Sequence, residues 1–445
     1  MCNGPLLGKI LRFALPLMLS GVLQLLFNAA DIVVVGQYAG QQALAAVGST
    51  SSLINLLINV FIGLSVGACV QVARFFGAKS DRDISETVHT AIALSLVCGV
   101  FLVFFGFFLS KPLLSLMGTP DDVLDMATLY MRIYFAGMPV IMLYNFGSAV
   151  LRAVGDTKRP LYFLVMAGVV NVLLNLFFVI VCGMDVDGVA LATVLAQCIS
   201  AGLIVYTLMR TEGSYQLYLK KLKIHKTKFL GILRTGLPAG VQGALFSISN
   251  VLIQSSINSF GSVVMAGSTA AANIEGFIYT AMNSFHHAAL SFTSQNMGAK
   301  KYDRMGRALG ICLVSVAILG LVAGNSAVLA GNFLIGIYSP EADVISYGVL
   351  RLRHVVPLYC ICGMMDTMVG AIRGMGFSVM PMIVSTIGAC GLRILWIYTI
   401  FAAYPTLEVL FLSYPVSWTA TTLVHIACYL YVRKKVLPAR LAAEE

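Results

Sequence analysis

Charged residues are scarce in this chain: Asp, Glu, Lys and Arg make up 11% of its 445 residues. Soluble globular domains carry about 25% charged residues, so a surface exposed only to water is not expected here. The mean hydropathy of +0.89 agrees with this. Composition therefore excludes a cytosolic enzyme, a secreted disulfide-rich scaffold and a disordered chain.

Motifs for catalysis and for nucleotide or metal binding are also missing. No GxxxxGK[ST] phosphate loop occurs, and the segment 77–80 lacks both the upstream glycine and the GK pair. No HExxH or GxSxG motif stands where a zinc site or a nucleophile would need it. The ten cysteines lack CxxC spacing and are expected to be small apolar side chains inside spans. We therefore expect no enzymatic activity, no ATP hydrolysis, no metal and no cofactor.

Long apolar runs, separated by charged residues, glycine and proline, fill the chain instead. About 20 apolar residues are needed to cross a membrane as a helix, so each run predicts one transmembrane helix. The predicted spans are 11–36, 44–73, 88–110, 126–151, 160–182, 188–209, 231–258, 266–297, 308–331, 344–371, 380–402 and 408–432. The sequence thus predicts an all-α polytopic membrane protein with twelve transmembrane helices.

The two halves of the chain are copies of each other, shifted by about 220 residues. ILRFALP at 10–16 returns as ILRTGLP at 232–238, and LRAVGDTKRP at 151–160 returns as IRGMGFSVMP at 372–381. Six spans per half give both halves the same orientation. Parallel repeats predict a pseudo-two-fold axis along the membrane normal and a cavity between the halves. The predicted domains are an N-terminal lobe at 1–210, a basic linker at 211–230 and a C-terminal lobe at 231–445.

The distribution of Lys and Arg predicts the orientation in the membrane, because cytoplasmic loops are rich in both. With both termini in the cytoplasm, all basic residues except five fall on cytoplasmic connections or tails; the exceptions are Lys111, Arg132, Arg351, Arg353 and Arg393. The linker is expected to lie against anionic headgroups. We therefore predict a multi-pass protein of the cytoplasmic membrane that binds no nucleic acid.

Polar residues on three spans of the N-terminal half indicate a hydrated site. Asp31 follows Gln24 and Asn28 at helical spacing on the first span, and the fifth span carries Asn171 and Asn175. The second span adds Ser51, Asn55 and Asn59. A carboxylate near the bilayer centre is costly and usually faces a cavity or an ion path. The alternative is a polar seam that only fixes helix packing.

The C-terminal half is polar at other positions. Glu275, Tyr279 and Asn283 follow one another at four-residue spacing on the eighth span, Asp366 lies on the tenth and Arg393 on the eleventh. A buried arginine needs a partner, and Asp366 or Glu275 is the expected one for Arg393. A transport role and a structural ion pair both remain open for these residues.

Several short segments resemble the multidrug and toxic compound extrusion (MATE) family, as do the duplicated six-span halves. The segments are DIVVVG at 31–36, ALAAVG at 43–48 and LRAVGDT at 151–157, and the single residues that match are Pro16, Pro160, Asn171 and Asn175. The resemblance covers nearly the whole chain and is strongest to bacterial cation-coupled drug exporters.

The resemblance implies alternating access, with H⁺ or Na⁺ exchanged for organic, often cationic compounds. It also implies roles for single residues. Asp31 matches the carboxylate of the first helix that binds the coupling cation, Asn171 and Thr193 match its polar neighbours, and Pro16 matches a proline at which that helix bends. Asn175 stands where several relatives have a second Asp, which leaves Asp31 as the one anion of the site. Asp366 and Glu275 resemble acidic residues of the C-terminal half.

The leading hypothesis is therefore a secondary active multidrug exporter that acts as a monomer on small organic substrates, with H⁺ favoured over Na⁺. The alternative is a flippase for lipid-linked oligosaccharide or lipid precursors, which shares the wider architecture. A flippase is expected to hold a pyrophosphate with several basic residues, whereas the deep charges here are mostly acidic. A membrane receptor or scaffold without transport activity leaves Asp31 unexplained.

Overall fold

The computed structural model describes residues 1–438, which form helices joined by turns and loops and contain no strand. The end of the predicted C-terminal tail, 439–445, lies outside the described residues. The helices of the first half are α1 (Leu6–Val34), α2 (Gln41–Ala78), α3 (Asp81–Leu116), α4 (Asp121–Ala136), α5 (Met138–Val154), α6 (Lys158–Leu176) and α7 (Val186–Arg210).

The second half repeats this arrangement with more interruptions. Its helices are α8 (Lys226–Asn258), α9 (Ser262–Gly298), α10 (Tyr302–Leu329), α11 (Gly331–Gly336), α12 (Ala342–Val355), α13 (Tyr359–Gly374), α14 (Val379–Ser385), α15 (Leu392–Trp396) and α16 (Leu407–Tyr431). Wider π-helical turns extend or join several of them at Val35–Ala39, Phe177–Val181, Thr386–Gly391, Ile397–Phe401 and Val432–Val436.

Each predicted span corresponds to a helix or to a pair of helices. Within residues 1–438, ten helical segments are long and apolar enough to cross a membrane, and the pair α4 and α5 provides an eleventh. The long helix α9 occupies the eighth predicted span, where Glu275 and two histidines make it less apolar. The prediction of an all-α multi-pass membrane protein is thus confirmed.

The fourth predicted span, 126–151, is not one straight helix. It is bent by 48° between α4 and α5. Pro139 stands in the first turn of α5, where its missing N–H costs no helical hydrogen bond. A side chain on Gly99 would collide with the Pro139 backbone, since an added Cβ would lie 2.3 Å from its Cα. The absence of a side chain at Gly99 therefore lets α3 approach the start of α5 closely.

Two compact units divide the chain. One comprises Leu19–Gly240, and the other comprises Met1–Met18 together with the chain from Val241 onward. Two helices therefore begin in one unit and end in the other: α1 changes unit two residues after Pro16, and α8 changes unit two residues after Pro238. The lobes at 1–210 and 231–445 stay a prediction, because copies of a repeat need not coincide with packing units.

The first residues of the chain are anchored in the second of these units. The guanidinium of Arg304 donates to the backbone oxygen of Met1 at 3.1 Å, and Lys301 donates to that of Cys2 at 2.9 Å. Further along α1, the ring of Phe13 packs edge-on against Phe292 with 5.9 Å between centroids. The start of α1 thus belongs to the core that α9 and α10 build.

The start of α8 is held in the Leu19–Gly240 unit by glycines. Gly63 and Gly67 on α2 face Gly236 and Gly240 on α8, so each helix presents a GxxxG pair. An added Cβ on Gly63 would lie 2.2 Å from the backbone nitrogen of Gly240. Small residues at this spacing let two helix backbones touch, which is a common way to join helices in a membrane.

The basic linker lies on the start of α3 and is fixed there by hydrogen bonds. The backbone N–H of Tyr218 donates to Nε2 of His89 at 3.1 Å, and the N–H of His225 donates to the hydroxyl of Thr90 at 3.1 Å. Lys228 also forms an ion pair with Asp83. Lys220, Lys221, Lys223 and Lys226 remain exposed, so the predicted contact with headgroups is open to them.

Candidate functional site

Asp31 is bonded to both asparagines of the fifth predicted span. The side-chain amide of Asn171 donates to the two carboxylate oxygens at 3.0 and 3.1 Å, and the amide of Asn175 donates to Oδ1. Because Asn171 and Asn175 are one turn apart on α6, they face α1 together. The proximity of these three residues, expected from the polar pattern, is present in the structure.

Helices α1 and α6 pack closely one turn before Asp31, and this packing places the carboxylate beside the two asparagines. An added Cβ on Gly168 would lie 1.9 Å from the ring of Phe27, so only glycine allows the ring to lie against α6. Asp31 follows Phe27 by one turn, and Asn171 follows Gly168 by three residues. The ring and the glycine therefore align the polar groups.

Two acceptor atoms at this site lack a hydrogen bond. The amide oxygens of Asn171 and Asn175 are buried and have no partner among the described residues. A buried amide oxygen without a partner is costly. A carboxylate and two amide oxygens are the ligand type that hard cations prefer, and an amide oxygen can also accept from a protonated carboxyl. The site can thus hold a small cation or a proton.

Wide helical turns adjoin the site on both helices. The π-helical turn Val35–Ala39 follows Asp31 on α1, and Phe177–Val181 follows Asn175 on α6. Such turns are rare and frequently occur at functional sites. Tyr130 and Tyr134 of α4 lie near enough to interact electrostatically with Asp31. These two tyrosines were not predicted as part of the site, although their four-residue spacing was a usable signal.

Thr193 does not join this cluster. Its hydroxyl donates to the backbone oxygen of Val189, one turn earlier on α7, at 3.0 Å. Among the described hydrogen bonds none links Thr193 to Asp31. Ser51 of the second span similarly donates to its own helix, at Val47. Polar residues on an apolar helix often satisfy themselves in this way, which is why spacing alone overestimates a site.

Glu275 forms a buried, two-pronged ion pair with Arg351. Nε and Nη2 of the guanidinium each donate to a different carboxylate oxygen at 2.8 Å, and Nη1 donates to the Ser268 hydroxyl at 2.7 Å. Bidentate pairs of this kind are among the strongest polar contacts. The expectation that Glu275 would be the partner of Arg393 is wrong, because Arg351 occupies both of its oxygens.

Asp366 belongs to a second polar group in the same unit. Tyr279 donates its hydroxyl to Oδ2 of Asp366 at 2.7 Å, and Nδ1 of His286 bonds the Asp366 backbone oxygen at 2.7 Å. Arg373 donates to Gln242 at 2.8 Å and interacts electrostatically with Asp366. Among the described hydrogen bonds, Asn283 takes part in none of these.

Arg393 has neither of the acidic partners that we expected. Its Nε donates to the hydroxyl of Ser417 at 2.9 Å, and its guanidinium carbon lies 4.6 Å from the ring centre of Tyr414 and 5.6 Å from that of Trp418. Sequence could not reveal this, because Ser417, Tyr414 and Trp418 read as ordinary residues of an apolar span.

A family model described as MatE matches residues 16–177 and, a second time, 238–399. The chain belongs to the MatE family. Both boundaries of the second match lie 222 residues after those of the first, so the internal repeat of this MatE chain is confirmed. The two matches place Pro16 and Pro238 at equivalent positions of the two copies.

Curated relatives resemble the MatE chain over nearly its full length. "Probable multidrug resistance protein YoeA" of Bacillus subtilis (strain 168) is 27% identical over 440 residues, which cover 96% of this chain and 94% of the relative. "FAD transporter" of Shewanella oneidensis is 21% identical over 444 residues, 98% and 97% of the two chains.

A solved outward-facing MATE family multidrug resistance transporter has the same fold. It superimposes with a TM-score of 0.90 at 23% identity and covers 99% of this chain and 98% of its own. This MatE chain therefore has the helical fold of MATE transporters, with its two six-helix repeats, and is a multi-pass membrane protein.

Proposed function

We propose that this protein is a secondary active multidrug exporter that exchanges H⁺, or Na⁺, for organic cations by alternating access. The observation that carries the proposal is the Asp31 carboxylate held by Asn171 and Asn175, with two amide oxygens left to accept a further bond. The curated relative from Bacillus subtilis, named as a probable drug resistance protein, supports the same activity.

The coupling mechanism follows from the charge on Asp31. With the carboxylate ionised, both asparagines donate to it; when it is protonated, one of them must turn so that its oxygen accepts. Protonation therefore changes the contacts between α1 and α6. A ligand or proton shifts a conformational equilibrium only by its differential affinity for the two states, and a membrane potential of 100 mV adds about 2.3 kcal/mol per charge moved.

We favour H⁺ as the coupling ion, because Asp31 supplies only one negative charge to the site. Na⁺ is the alternative, for which the amide oxygens of Asn171 and Asn175 would be ligands. Asp366, Tyr279 and Arg373 are proposed to change their hydrogen bonds during the same cycle, whereas the Glu275–Arg351 pair is proposed to be structural. We further propose a functional monomer in the cytoplasmic membrane, with cytoplasmic termini and without ATP as an energy source.

Purified protein in liposomes tests the proposal. The vesicles are loaded with a fluorescent organic cation and given a pH gradient or a Na⁺ gradient separately. We expect uphill dye movement that depends on the pH gradient. Movement with the Na⁺ gradient alone would assign the coupling to Na⁺, and no gradient-dependent movement of several dyes would contradict export.

The flippase alternative predicts a different result in the same vesicles: dyes would stay in place, and a fluorescent lipid precursor would change leaflet. Arg351, one of the buried basic groups that could hold a pyrophosphate, is already bonded to Glu275 and Ser268. This favours the exporter. The relatives are named for drugs and for FAD, an anionic dinucleotide, so family membership leaves the charge of the substrate open.

A further inference from the structure

An open pocket lies at the start of the chain, within the unit of Met1–Met18 and the chain from Val241. Its volume is about 530 Å³, and residues 2–4, 300–304 and 307 line it. The first residues of the chain meet the turn between α9 and α10 there. Both α1 and α10 begin at this pocket, and both are long and apolar enough to cross a membrane. The pocket therefore lies where lipid headgroups meet the protein.

Positive charge collects in this pocket without a carboxylate to balance it. Four basic side chains line it, and within residues 1–438 none of them is in an ion pair: Lys300, Lys301, Arg304 and Arg307. Asp303, the acid of the same wall, faces Arg433 outside the pocket at 3.7 Å. Like charges gathered in one place repel each other, so the pocket favours an anion.

The start of the chain collects these charges but does not neutralise them. Lys301 donates to the backbone oxygen of Cys2 at 2.9 Å, and Nη2 of Arg304 donates to that of Gly4 at 2.7 Å. Carbonyl oxygens are neutral acceptors, so both positive charges remain. The side chains of Lys300 and Arg307 are exposed and form no hydrogen bond with any described residue. These two are therefore available to a ligand.

The equivalent turn of the first repeat copy has its charges paired. With the 222-residue shift of the two family matches, two acids and a serine of the first copy correspond to two apolar residues and an arginine of the second: Asp83, Glu86 and Ser85 against Met305, Ala308 and Arg307. Asp83 forms an ion pair with Lys228, and Glu86 forms one with Arg82 at 2.9 Å. The excess of positive charge thus belongs to the second copy.

We propose that this pocket binds the phosphate of an anionic phospholipid, in the leaflet predicted to face the cytoplasm. Basic pockets of membrane proteins on this side bind such headgroups. The phosphate oxygens accept from the ammonium of Lys300 and the guanidinium of Arg307. By offsetting the repulsion in the pocket, the lipid stabilises the contact between the start of α1 and α10. The proposal is independent of the export function.

A free phosphate has the same chemistry, but the position of the pocket favours a lipid. Leu7, Leu11 and Leu15 of α1 are exposed at four-residue spacing directly after the pocket. They form an apolar stripe along which the acyl chains of a bound lipid can lie. A free anion would use the basic groups and leave this stripe without a role.

Native mass spectrometry of the purified full chain tests the proposal. The protein is titrated with phosphatidylglycerol or with phosphatidylcholine of the same acyl chains, which has no net charge, and binding of the first lipid is measured. A basic residue at a membrane surface strengthens the binding of anionic lipid roughly fivefold. The double variant Lys300→Gln with Arg307→Gln should therefore weaken phosphatidylglycerol binding roughly 30-fold and change phosphatidylcholine binding little.

The matched control is Lys79→Gln with Arg82→Gln, which removes the same two residue types from the equivalent turn of the first copy. Lys79 and Lys300 both have a positive φ, 57° and 58°, so the backbone strain is the same in the two variants. The control should bind both lipids like the wild type. If the pocket variant aggregates in size-exclusion chromatography, Arg307→Gln alone is compared with Arg82→Gln, and a roughly fivefold loss is expected.

Thermal unfolding in detergent distinguishes a lipid from a free anion. Phosphatidylglycerol should raise the melting temperature of the wild type and of the control but not that of the pocket variant. Inorganic phosphate that stabilises the wild type in the same variant-dependent way, without an effect of phosphatidylglycerol, would overturn the lipid assignment. Equal weakening of lipid binding in the pocket variant and the control, or equal affinity of the wild type for the two lipids, would also overturn it. Neither assay depends on dye export.

Discussion

At the scale of single residues, the chain uses its few buried charges in two different ways. Asp31 is held by neutral amides, so its charge can change without breaking an ion pair. Glu275 is held by a guanidinium that is also bonded to Ser268, so its charge is fixed by its partner. A carboxylate that exchanges a proton or a cation needs the first arrangement. A carboxylate that joins two helices needs the second.

The first prediction concerns Asp31→Asn. This variant should insert and fold normally but lose uphill dye export, since an amide cannot take up or release a proton near neutral pH. Export is measured in liposomes with an imposed pH gradient. Asp125→Asn is the matched control, because Asp125 pairs with Lys111 at an exposed position. Full export by Asp31→Asn would remove Asp31 from the coupling step.

The second prediction concerns the pair of Glu275 and Arg351. Arg351→Gln leaves a buried carboxylate without its counter-charge, which should lower the free energy of unfolding by about 3 kcal/mol. Thermal unfolding of the purified protein measures the effect, and the double variant Glu275→Gln with Arg351→Gln should recover part of the loss. Lys111→Gln, at an exposed pair, should change stability little. If Arg351→Gln leaves the melting temperature unchanged, the ion pair is not structural.

At the scale of helices, glycine decides how closely two elements approach. Gly63 and Gly67 of α2 face Gly236 and Gly240 of α8, so the backbones meet without side chains between them. The same residue type gives α6 its contact with Phe27, at Gly168. In a membrane such close packing replaces the hydrophobic effect as the force that joins helices.

The third prediction concerns this contact. Gly63→Ala should destabilise the protein by about 1–3 kcal/mol, because the new methyl group has no space and forces the two helices apart. Thermal unfolding in detergent measures the change. Gly48→Ala is the matched control on the same helix, where an added Cβ meets nothing within 4 Å. If Gly63→Ala and Gly48→Ala have equal melting temperatures, the contact between α2 and α8 adds no stability.

The sequence predicted the helices well because the signals for them are local. Apolar runs of sufficient length located all twelve spans, and the polar residues on the first and fifth spans predicted that Asn171 and Asn175 lie near Asp31. Arg351 was not predictable as the partner of Glu275, because spacing within one helix does not show which of several basic side chains on other helices it meets. The bend between α4 and α5 was missed because the run stays apolar through it.

At the scale of the whole molecule, the repeat and the packing units do not divide the chain at the same places. The two units change at Met18 and at Gly240, inside helices α1 and α8. Each change of unit follows a proline by two residues, and the two prolines occupy equivalent positions of the repeat. A proline removes one backbone hydrogen bond of its helix and makes bending there easier.

The fourth prediction concerns these prolines. Pro16→Ala and Pro238→Ala should slow export, because each restores a hydrogen bond at the place where a helix passes between units. A barrier raised by about 1 kcal/mol lowers a rate roughly fivefold. Initial export rates in liposomes measure this, with dye affinity as a second readout that should not change. Pro415→Ala, inside α16 and within one unit, should leave the rate unchanged, and an equal slowing there would contradict a hinge.

The passage of α1 and α8 from one unit to the other makes each copy of the repeat dependent on the other for folding. A fragment ending in the linker would lack the α8 glycines that meet α2, and the complementary fragment would lack the α1 residues that cover Phe292. Either half alone should therefore aggregate in detergent, and the two should fold only when they are produced together. A polypeptide made of one half alone would have an incomplete hydrophobic core.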